Sequence, residues 1–136
     1  MREKPLILIA DDKEEFCEII SAKLTAAGFE CATVKSGAEA VQKATELSPD
    51  LILMDIRMPP GITGVEAALS IKEKTETADL NIIFLTNEKD PWPGMEGDKQ
   101  MISQQLGMQG FFDKGGNLDE FAGKLKEAFH VGSSVN

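Results

Sequence analysis

The sequence LILMD at residues 51–55 gives the clearest indication of the fold. Its first four residues are apolar, without the polar alternation of a half-exposed strand, and this pattern is typical of a strand buried on both faces. Strands of that kind occur in parallel sheets that helices cover on both sides. Asp55 then stands at the carboxyl end of the strand, which is where open α/β sheets bind their ligands.

Short apolar runs predict four further strands, at Leu6 to Ile9, Cys31 to Val34, Ile82 to Leu85 and Gly110 to Phe112. Segments with the period of an amphipathic helix lie between the strands. The first is expected to carry on one side Phe16, Ile19, Ile20, Leu24 and Ala27. The third and the last are expected to bury Val65, Ala68, Leu69 and Ile71, and Leu118, Phe121, Leu125 and Phe129. A weaker pattern predicts another helix at Lys99 to Leu106.

Residues with known roles at helix ends support this alternation. Gly28 is placed to end the first helix, and Pro49 prevents the second from continuing past Leu47. Three pairs have the spacing of N-terminal capping residues: Ser36 with Glu39, Thr63 with Glu66, and Asn117 with Glu120. Strands that alternate with helices imply right-handed crossovers and a parallel sheet with helices on both sides.

Length and composition limit the classes of protein that fit. The 136 residues suit one globular domain over 1–136, with its core at about 5–130 and a flexible tail at 131–136. A net charge of -9 without a Lys/Arg cluster argues against binding to nucleic acid. No apolar run is long enough for a membrane span and no signal peptide is visible, so we expect a cytoplasmic location. Cys17 and Cys31 are expected to be buried free thiols.

Acidic residues lie at the ends of two predicted strands. Asp11 and Asp12 follow the first strand and Asp55 follows the third, so these side chains are expected to converge where the strand order reverses. Crowded carboxylates raise one another's pKa unless a cation joins them. Because the site has oxygen ligands without histidine or thiolate, a hard cation is expected, and Mg²⁺ fits best.

A hydroxyl and an ammonium are expected in the same crevice, since the fourth strand ends at Thr86 and Lys114 follows the fifth. Metal and ammonium together would neutralise a phosphoryl group, so that the carboxylate of Asp55 can attack phosphorus. Each residue alone has an ordinary explanation, and Asp12 in particular could cap the first helix. The combination of these residues at strand ends favours the functional interpretation.

The chain resembles the receiver domain of two-component response regulators over nearly all of its length. The similarity lies in LILIADD at 6–12, LILMDIRMPPGITGVE at 51–66, IIFLTN at 82–87 and FFDK at 111–114. The resemblance implies an α/β, flavodoxin-like, doubly wound sheet of five parallel strands in the order 2-1-3-4-5, with five helices.

The resemblance also implies a phosphoacceptor and a metal site. Asp55 would be phosphorylated by a histidine kinase or a histidine phosphotransfer protein. Mg²⁺ would be bound by Asp12, Asp55 and the backbone carbonyl of Arg57, with Asp11 in a supporting position.

A switch surface follows from the same resemblance. Thr86, Asn87 and Lys114 would lie around the phosphate, and Phe111 would be the aromatic residue that turns inward. A downstream protein would then bind the remodelled surface, with Trp92 as a possible contact. We expect a stand-alone receiver without an attached effector, either a monomer or a weak homodimer linked to phosphorylation.

Two other functions stay open on the sequence alone. A phosphorylation-independent binding module would keep the fold without the switch, and Asn87, Gly115 and the long connection at 88–98 favour it. A phosphohydrolase of the haloacid-dehalogenase type also combines an aspartate nucleophile with magnesium, but Arg57 stands where its second carboxylate would be. The expected function is therefore a switch and not an enzyme, with at most self-phosphorylation from small donors and slow autodephosphorylation.

Overall fold

The computed structural model describes residues 4–58, 61–86 and 110–129. Five parallel strands lie in these ranges: β1 (Leu6–Ala10), β2 (Glu30–Val34), β3 (Leu51–Asp55), β4 (Ile82–Thr86) and β5 (Gly110–Asp113). They form one sheet in the order β2-β1-β3-β4-β5, which confirms the predicted doubly wound, flavodoxin-like topology. The last strands extend one residue beyond the apolar runs, because Asp55, Thr86 and Asp113 still pair in the sheet.

Helices connect the strands and cover both faces of the sheet. In the described ranges they are α1 (Glu14–Ala26), α2 (Gly37–Leu47), α3 (Gly64–Glu73) and α4 (Leu118–Ala128). The helix predicted at Lys99 to Leu106 lies outside the described residues. Among the helices that are described, none has the length and apolar character needed to cross a membrane.

The apolar residues form two clusters, one on each side of the sheet. Ile7 and Ile9 of β1 pack in the cluster under α1 and α4, whereas Leu8 and Ala10 pack in the cluster under α2 and α3. Successive strand residues point to opposite faces, and here both faces are buried. The continuous apolar runs of the sequence follow from this arrangement.

The register between β1 and β3 positions the acidic residues. Ala10 pairs with Met54, so Asp11 and Asp55 occupy the next level at the carboxyl end of the two strands. Both carboxylates continue the alternation of Ile9 and Leu53, which belong to the cluster under α1 and α4. The two acids therefore lie side by side on the same face.

Two residues that we expected to be buried are exposed. The side of α1 that faces the core consists of Cys17, Ile20 and Leu24, while Ile19 is 46% exposed. In α3, Leu69 is 37% exposed. Neighbouring residues differ by about 100° around a helix, so an apolar residue beside the buried stripe can still face solvent. The predictions for Ile19 and Leu69 were wrong because the buried stripe along each helix is narrower than the set of its apolar residues.

The predicted helix ends are present. Gly28, just beyond α1, has a φ of 104°, which a residue with a side chain rarely adopts. After α2 the chain passes through Ser48 in the left-handed conformation, with a φ of 45°, and then enters buried Pro49. These residues redirect the chain into β2 and β3.

A complete capping box starts α3. The Thr63 hydroxyl accepts a hydrogen bond from the Glu66 amide at 3.1 Å, and the Glu66 carboxylate accepts one from the Thr63 amide at 2.8 Å. At α2 the box is incomplete, because Ser36 accepts from the Glu39 amide but the Glu39 carboxylate accepts from the Lys35 amide instead. The start of α3 is thus fixed by two reciprocal contacts.

Replacing Thr63 with alanine should lower the free energy of unfolding by about 1 kcal/mol, since it removes an N-cap acceptor. Urea denaturation of the wild-type protein and the variant measures this difference. Thr45→Ala is the matched control, because Thr45 is exposed within α2 and its hydroxyl only donates to the Val41 carbonyl at 3.3 Å. Equal stabilities for the two variants would contradict the capping role.

Candidate functional site

Three carboxylates meet at the carboxyl ends of β1 and β3. One oxygen from each of Asp11, Asp12 and Asp55 lies within 4.8 Å of the others. Asp11 is 0% exposed and Asp55 is 5% exposed, while Asp12 is only partly buried. Two of the three acids are thus removed from water, which makes their negative charges costly without a cation.

Lys114 provides one positive charge at this cluster. Its ammonium lies 2.6 Å from Asp11 Oδ2 and 3.5 Å from Asp55 Oδ2, and its side chain is 15% exposed. It also lies 5.1 Å from the centre of the Phe16 ring. The backbone amide of Lys114 donates to the Thr86 carbonyl at 2.7 Å, which ties the residue to the end of β4.

The pairing of Lys114 with Asp11 leaves one oxygen incompletely satisfied. Asp11 Oδ2 is close enough to the ammonium for an ion pair, yet this buried atom has no partner with hydrogen-bond geometry among the residues that the structure describes. We regard the contact as electrostatic, because a distance alone does not make a directed hydrogen bond. Asp11 Oδ1 is satisfied, since it accepts from the Lys13 amide at 2.8 Å.

Burial changes the acidity of Asp55. Loss of hydration raises the pKa of this carboxyl to about 7, and the neighbouring charge of Asp11 adds to the rise. Lys114 and a hydrogen bond from the Arg57 backbone act in the opposite direction and lower the pKa. The protein therefore holds Asp55 in surroundings that disfavour its charged form, and a further cation would reverse that preference.

Lys13 is a second ammonium at the cluster. Its Nζ lies 3.2 Å from Asp12 Oδ1 and its side chain is 66% exposed. The hydrogen bond to Asp12 raises the pKa of Lys13, and the charges of Asp12, Asp55 and Asp11 act in the same direction. Asp12 does not cap α1, because Lys13 itself is the N-cap residue. The alternative explanation of Asp12 as a helix cap was therefore wrong.

The chain beside Asp55 is held by an unusually close approach of Gly64. A Cβ atom added to Gly64 would lie 1.8 Å from the Asp55 carbonyl oxygen and 2.8 Å from its carbonyl carbon. The Gly64 amide donates to the Ile56 carbonyl at 2.7 Å. The first residue of α3 is thus packed on the backbone of the acid, and only glycine fits there.

Cys17 supports the same region from α1. Its thiol donates to the Asp11 carbonyl at 3.4 Å, and burial raises the pKa of the thiol to about 11, with the charge of Asp11 adding to the rise. The thiol accordingly stays protonated and acts as a donor. Both cysteines are free, although Cys31 is half-buried and not buried as predicted.

Two of the predicted switch residues, Thr86 and Phe111, lie on the neighbouring strands β4 and β5. Thr86 is 4% exposed, and its hydroxyl donates to the Phe112 carbonyl at 3.4 Å. Phe111 is 38% exposed on β5, whereas Phe112 stacks on Phe121 of α4 with ring centres 4.1 Å apart. Phe111 therefore lies at the surface of the domain, whereas Phe112 is packed against α4.

Sequence patterns alone did not identify three contributors to the site. Phe16 was assigned only to the core, and Lys13 and Gly64 were given no role. Glycine at position 64 and lysine after an acidic pair are visible in the sequence, but their contacts depend on the packing of α1 and α3. Asn87 and Trp92, which were predicted to contribute, lie outside the described residues.

The residues of the cluster fit a divalent cation. Three carboxylates lie within 4.8 Å, and a buried oxygen of Asp11 lacks a hydrogen-bond partner within residues 4–58, 61–86 and 110–129. Oxygen donors of this kind suit Mg²⁺, which prefers a small number of carboxylates and otherwise retains water. The donor set contains no histidine or thiolate that would favour a softer metal.

The fold and this acidic crevice define a class, the doubly wound α/β domains that bind ligands at the carboxyl ends of their strands. Within that class, residues 7–126 match the response regulator receiver domain, and the chain belongs to this family. Receiver domains of two-component systems are phosphoacceptors that act as signalling switches, and the family binds Mg²⁺ in its active site.

Individual relatives agree with this assignment. The chain is 32% identical to the phosphate regulon transcriptional regulatory protein PhoB of Pseudomonas aeruginosa over 120 residues, which are 88% of this chain. It spans about half of the length of that relative, 49%. Over 120 residues it is 30% identical to the polar-differentiation response regulator DivK of Brucella ovis, covering 92% of that protein.

A solved structure supports the comparison in three dimensions. It is the receiver domain of the sensor histidine kinase PA1611 of Pseudomonas aeruginosa, solved with a magnesium ion coordinated in its active-site cleft. The two chains superpose with a TM-score of 0.74 and 27% sequence identity, over 91% of this chain and 96% of the other. The similarity therefore extends over nearly the whole domain.

Proposed function

We propose that this chain is a receiver that accepts a phosphoryl group on Asp55 in the presence of Mg²⁺ and signals through its protein-binding surface. The observation that carries the proposal is the convergence of Asp11, Asp12 and Asp55 within 4.8 Å, with the Lys114 ammonium between Asp11 and Asp55. Family membership supplies the reaction class, phosphoryl transfer to a carboxylate.

Asp12, Asp55 and the backbone carbonyl of Arg57 would hold the ion, and Asp11 would support them. Bound there, Mg²⁺ supplies positive charge that lowers the pKa of Asp55 and neutralises phosphoryl oxygens. The Arg57 backbone already donates a hydrogen bond to Asp55, so the segment after β3 lies at the carboxylate. Asp55 ends β3, and Asp11 and Asp12 follow the neighbouring strand β1, whose register with β3 brings the two strand ends to one level.

In the proposed reaction, a carboxylate oxygen of Asp55 forms a bond to phosphorus while the bond from phosphorus to the donor's histidine nitrogen breaks. The nitrogen keeps the electron pair, and the histidine leaves as neutral imidazole because its other ring nitrogen carries a proton during the transfer. Lys114, which is held near Asp55 by Asp11 and Phe16, pairs with the new phosphoryl oxygens. Positioning and neutralisation of charge account for most catalysis of such transfers.

The signal would pass from the phosphate to the surface through β4 and β5. Thr86 would exchange its 3.4 Å contact with the Phe112 carbonyl for a phosphoryl oxygen, and exposed Phe111 would turn inward. Phosphate favours this state only through contacts that the resting state lacks. The partners would be a histidine kinase or phosphotransfer protein, a downstream protein target and, in a phosphorylated form, a second copy in a weak dimer. We propose a cytoplasmic location, since these donors act there.

Acetyl phosphate with Mg²⁺ provides the direct test. We expect intact mass spectrometry to detect one added phosphoryl group on the wild-type protein, and none on Asp55→Asn or when EDTA replaces Mg²⁺. Asp119→Asn is the matched control, because Asp119 is a surface acid paired with Lys23 on another part of the domain. An unmodified wild-type protein would contradict the proposal.

The same mixture separates the proposal from its alternatives. A phosphorylation-independent binding module would remain unmodified with every donor while still binding a partner. A haloacid-dehalogenase-like phosphohydrolase would release phosphate continuously from small esters. The three acids and Lys114 at one site disfavour the binding module, and Arg57 in place of a second carboxylate disfavours the hydrolase.

A further inference from the structure

Lys13 occupies a position where the helix gains nothing from a lysine. It is the N-cap residue of α1 and makes no side-chain cap, whereas this position favours serine, threonine, aspartate or asparagine. A cation at the N-terminus of a helix is also opposed by the helix dipole. With a side chain that is 66% exposed, Lys13 contributes little to packing. The stability of α1 therefore does not account for this residue.

The ammonium of Lys13 instead contacts Asp12, the most exposed of the three acids in the cluster. Asp12 has a side chain that is 21% exposed, compared with 0% for Asp11 and 7% for Asp55. Lys13 Nζ lies 3.2 Å from Asp12 Oδ1. A cation that enters from solution reaches Asp12 first, and the Lys13 ammonium already lies beside that carboxylate.

The charges of the cluster show what this contact does. Three carboxylates are balanced by the ammonium groups of Lys114 and Lys13, which leaves a formal charge of -1. Lys114 is held on two acids and is 15% exposed, but Lys13 has one acid partner among the described residues and a side chain that is 66% exposed. Removal of Lys13 alone would leave -2, the charge that matches a divalent ion.

We propose that Lys13 is a tethered competitor of the divalent cation at Asp12, and that it sets the Mg²⁺ concentration at which the site fills. The inference rests on the proposed function and adds regulation to the same site. Mg²⁺ binds only as the Lys13 ammonium leaves Asp12, so the chain requires more Mg²⁺ than the three acids alone would require. Lys13 acts on metal binding through Asp12 and takes no part in the phosphoryl transfer itself.

Titration calorimetry with Mg²⁺ alone, without a phosphodonor, tests the inference. We expect Lys13→Gln to bind Mg²⁺ roughly three- to tenfold more tightly than the wild-type protein, as suits the loss of one partly screened charge near the ion. Lys13→Arg keeps the charge and should bind like the wild-type protein. Lys23→Gln is the matched control, because it removes a charge from the same helix at a lysine paired with Asp119.

The outcomes distinguish this inference from the proposed function. Equal Mg²⁺ affinities for Lys13→Gln, Lys23→Gln and the wild-type protein would overturn the competition while leaving the metal site intact. No Mg²⁺ binding by either the wild-type protein or Lys13→Gln would contradict the competition and the proposed metal site together. Tighter binding in Lys13→Gln, with acetyl phosphate still failing to modify the protein, would support the competition and contradict phosphoryl transfer.

Discussion

Replacing Gly64 with alanine is expected to lower the free energy of unfolding by about 3 kcal/mol or more. The new Cβ would lie 1.8 Å from the Asp55 carbonyl oxygen, 2.8 Å from its carbonyl carbon and 3.0 Å from the Ile56 Cα. All three are backbone atoms, so no side-chain rotation relieves the overlap. The backbone must shift, although the 2.7 Å hydrogen bond from the Gly64 amide to the Ile56 carbonyl holds it in place.

Chemical denaturation measures this loss, with Gly123→Ala as the matched control. Gly123 lies within α4, and a Cβ added there meets no atom of the described part of the chain within 4 Å. That substitution should raise stability by about 0.5–1 kcal/mol, because alanine favours a helix over glycine. The same glycine-to-alanine substitution should therefore lower the free energy of unfolding at position 64 and raise it at position 123. A Gly64→Ala protein as stable as the wild-type protein would show that the contact with Asp55 is not rigid.

Replacing Asp55 with asparagine is expected to stabilise the metal-free protein above neutral pH, by as much as about 4 kcal/mol. Burial, reinforced by Asp11, raises the pKa of Asp55 from 3.8 to about 7. The folded state therefore binds a proton more tightly than the unfolded state, and stability falls as pH rises from about 4 to about 7. Asparagine has no charge to bury, so this decline should disappear in the variant.

Urea denaturation in EDTA at pH 5 and pH 8 measures the slope for both proteins. Mg²⁺ at pH 8 should stabilise the wild-type protein more than Asp55→Asn, since binding to the folded state adds to its stability. Asp119→Asn, a substitution at an exposed acid, should retain the wild-type pH dependence. If the wild-type protein and Asp55→Asn lost stability equally between pH 5 and pH 8, the charge of Asp55 would not be the cause.

The strands were predictable because their signal is local and redundant, whereas their order was implied by the resemblance to receiver domains. An apolar run without alternation, such as Leu51 to Met54, requires burial on both faces, and the alternation with helices then leaves few topologies. The boundaries were less certain, since Asp55 and Thr86 interrupt the apolar pattern yet pair in the sheet. Ile19 and Leu69 were wrongly assigned to the buried sides of their helices. Apolar character alone does not reveal which side of a helix packs against other elements.

The acids of the site were predictable for a different reason. Strand ends fall on one edge of a parallel sheet, so the positions of Asp11, Asp12 and Asp55 in the sequence already imply their proximity. The contacts of Phe16 with Lys114, and of Gly64 with the Asp55 carbonyl, depend on how helices are seated on the sheet. The periodicity of the sequence does not reveal that packing, so these contacts could not be predicted from the sequence.

The level pairing of β1 and β3 has a consequence for the choice of ion. Asp11 and Asp55 extend neighbouring strands from the Ala10–Met54 pair, so the distance between their Cα atoms is set by main-chain bonding in the interior of the sheet. These two acids have little freedom to spread around an ion of larger radius. Adjustment falls to Asp12, which lies outside the strand and is partly open to water. At the proposed metal site, discrimination between Mg²⁺ and Ca²⁺ should accordingly depend on the mobility of the Asp12 side chain, because the sheet fixes the distance between the backbones of the other two acids.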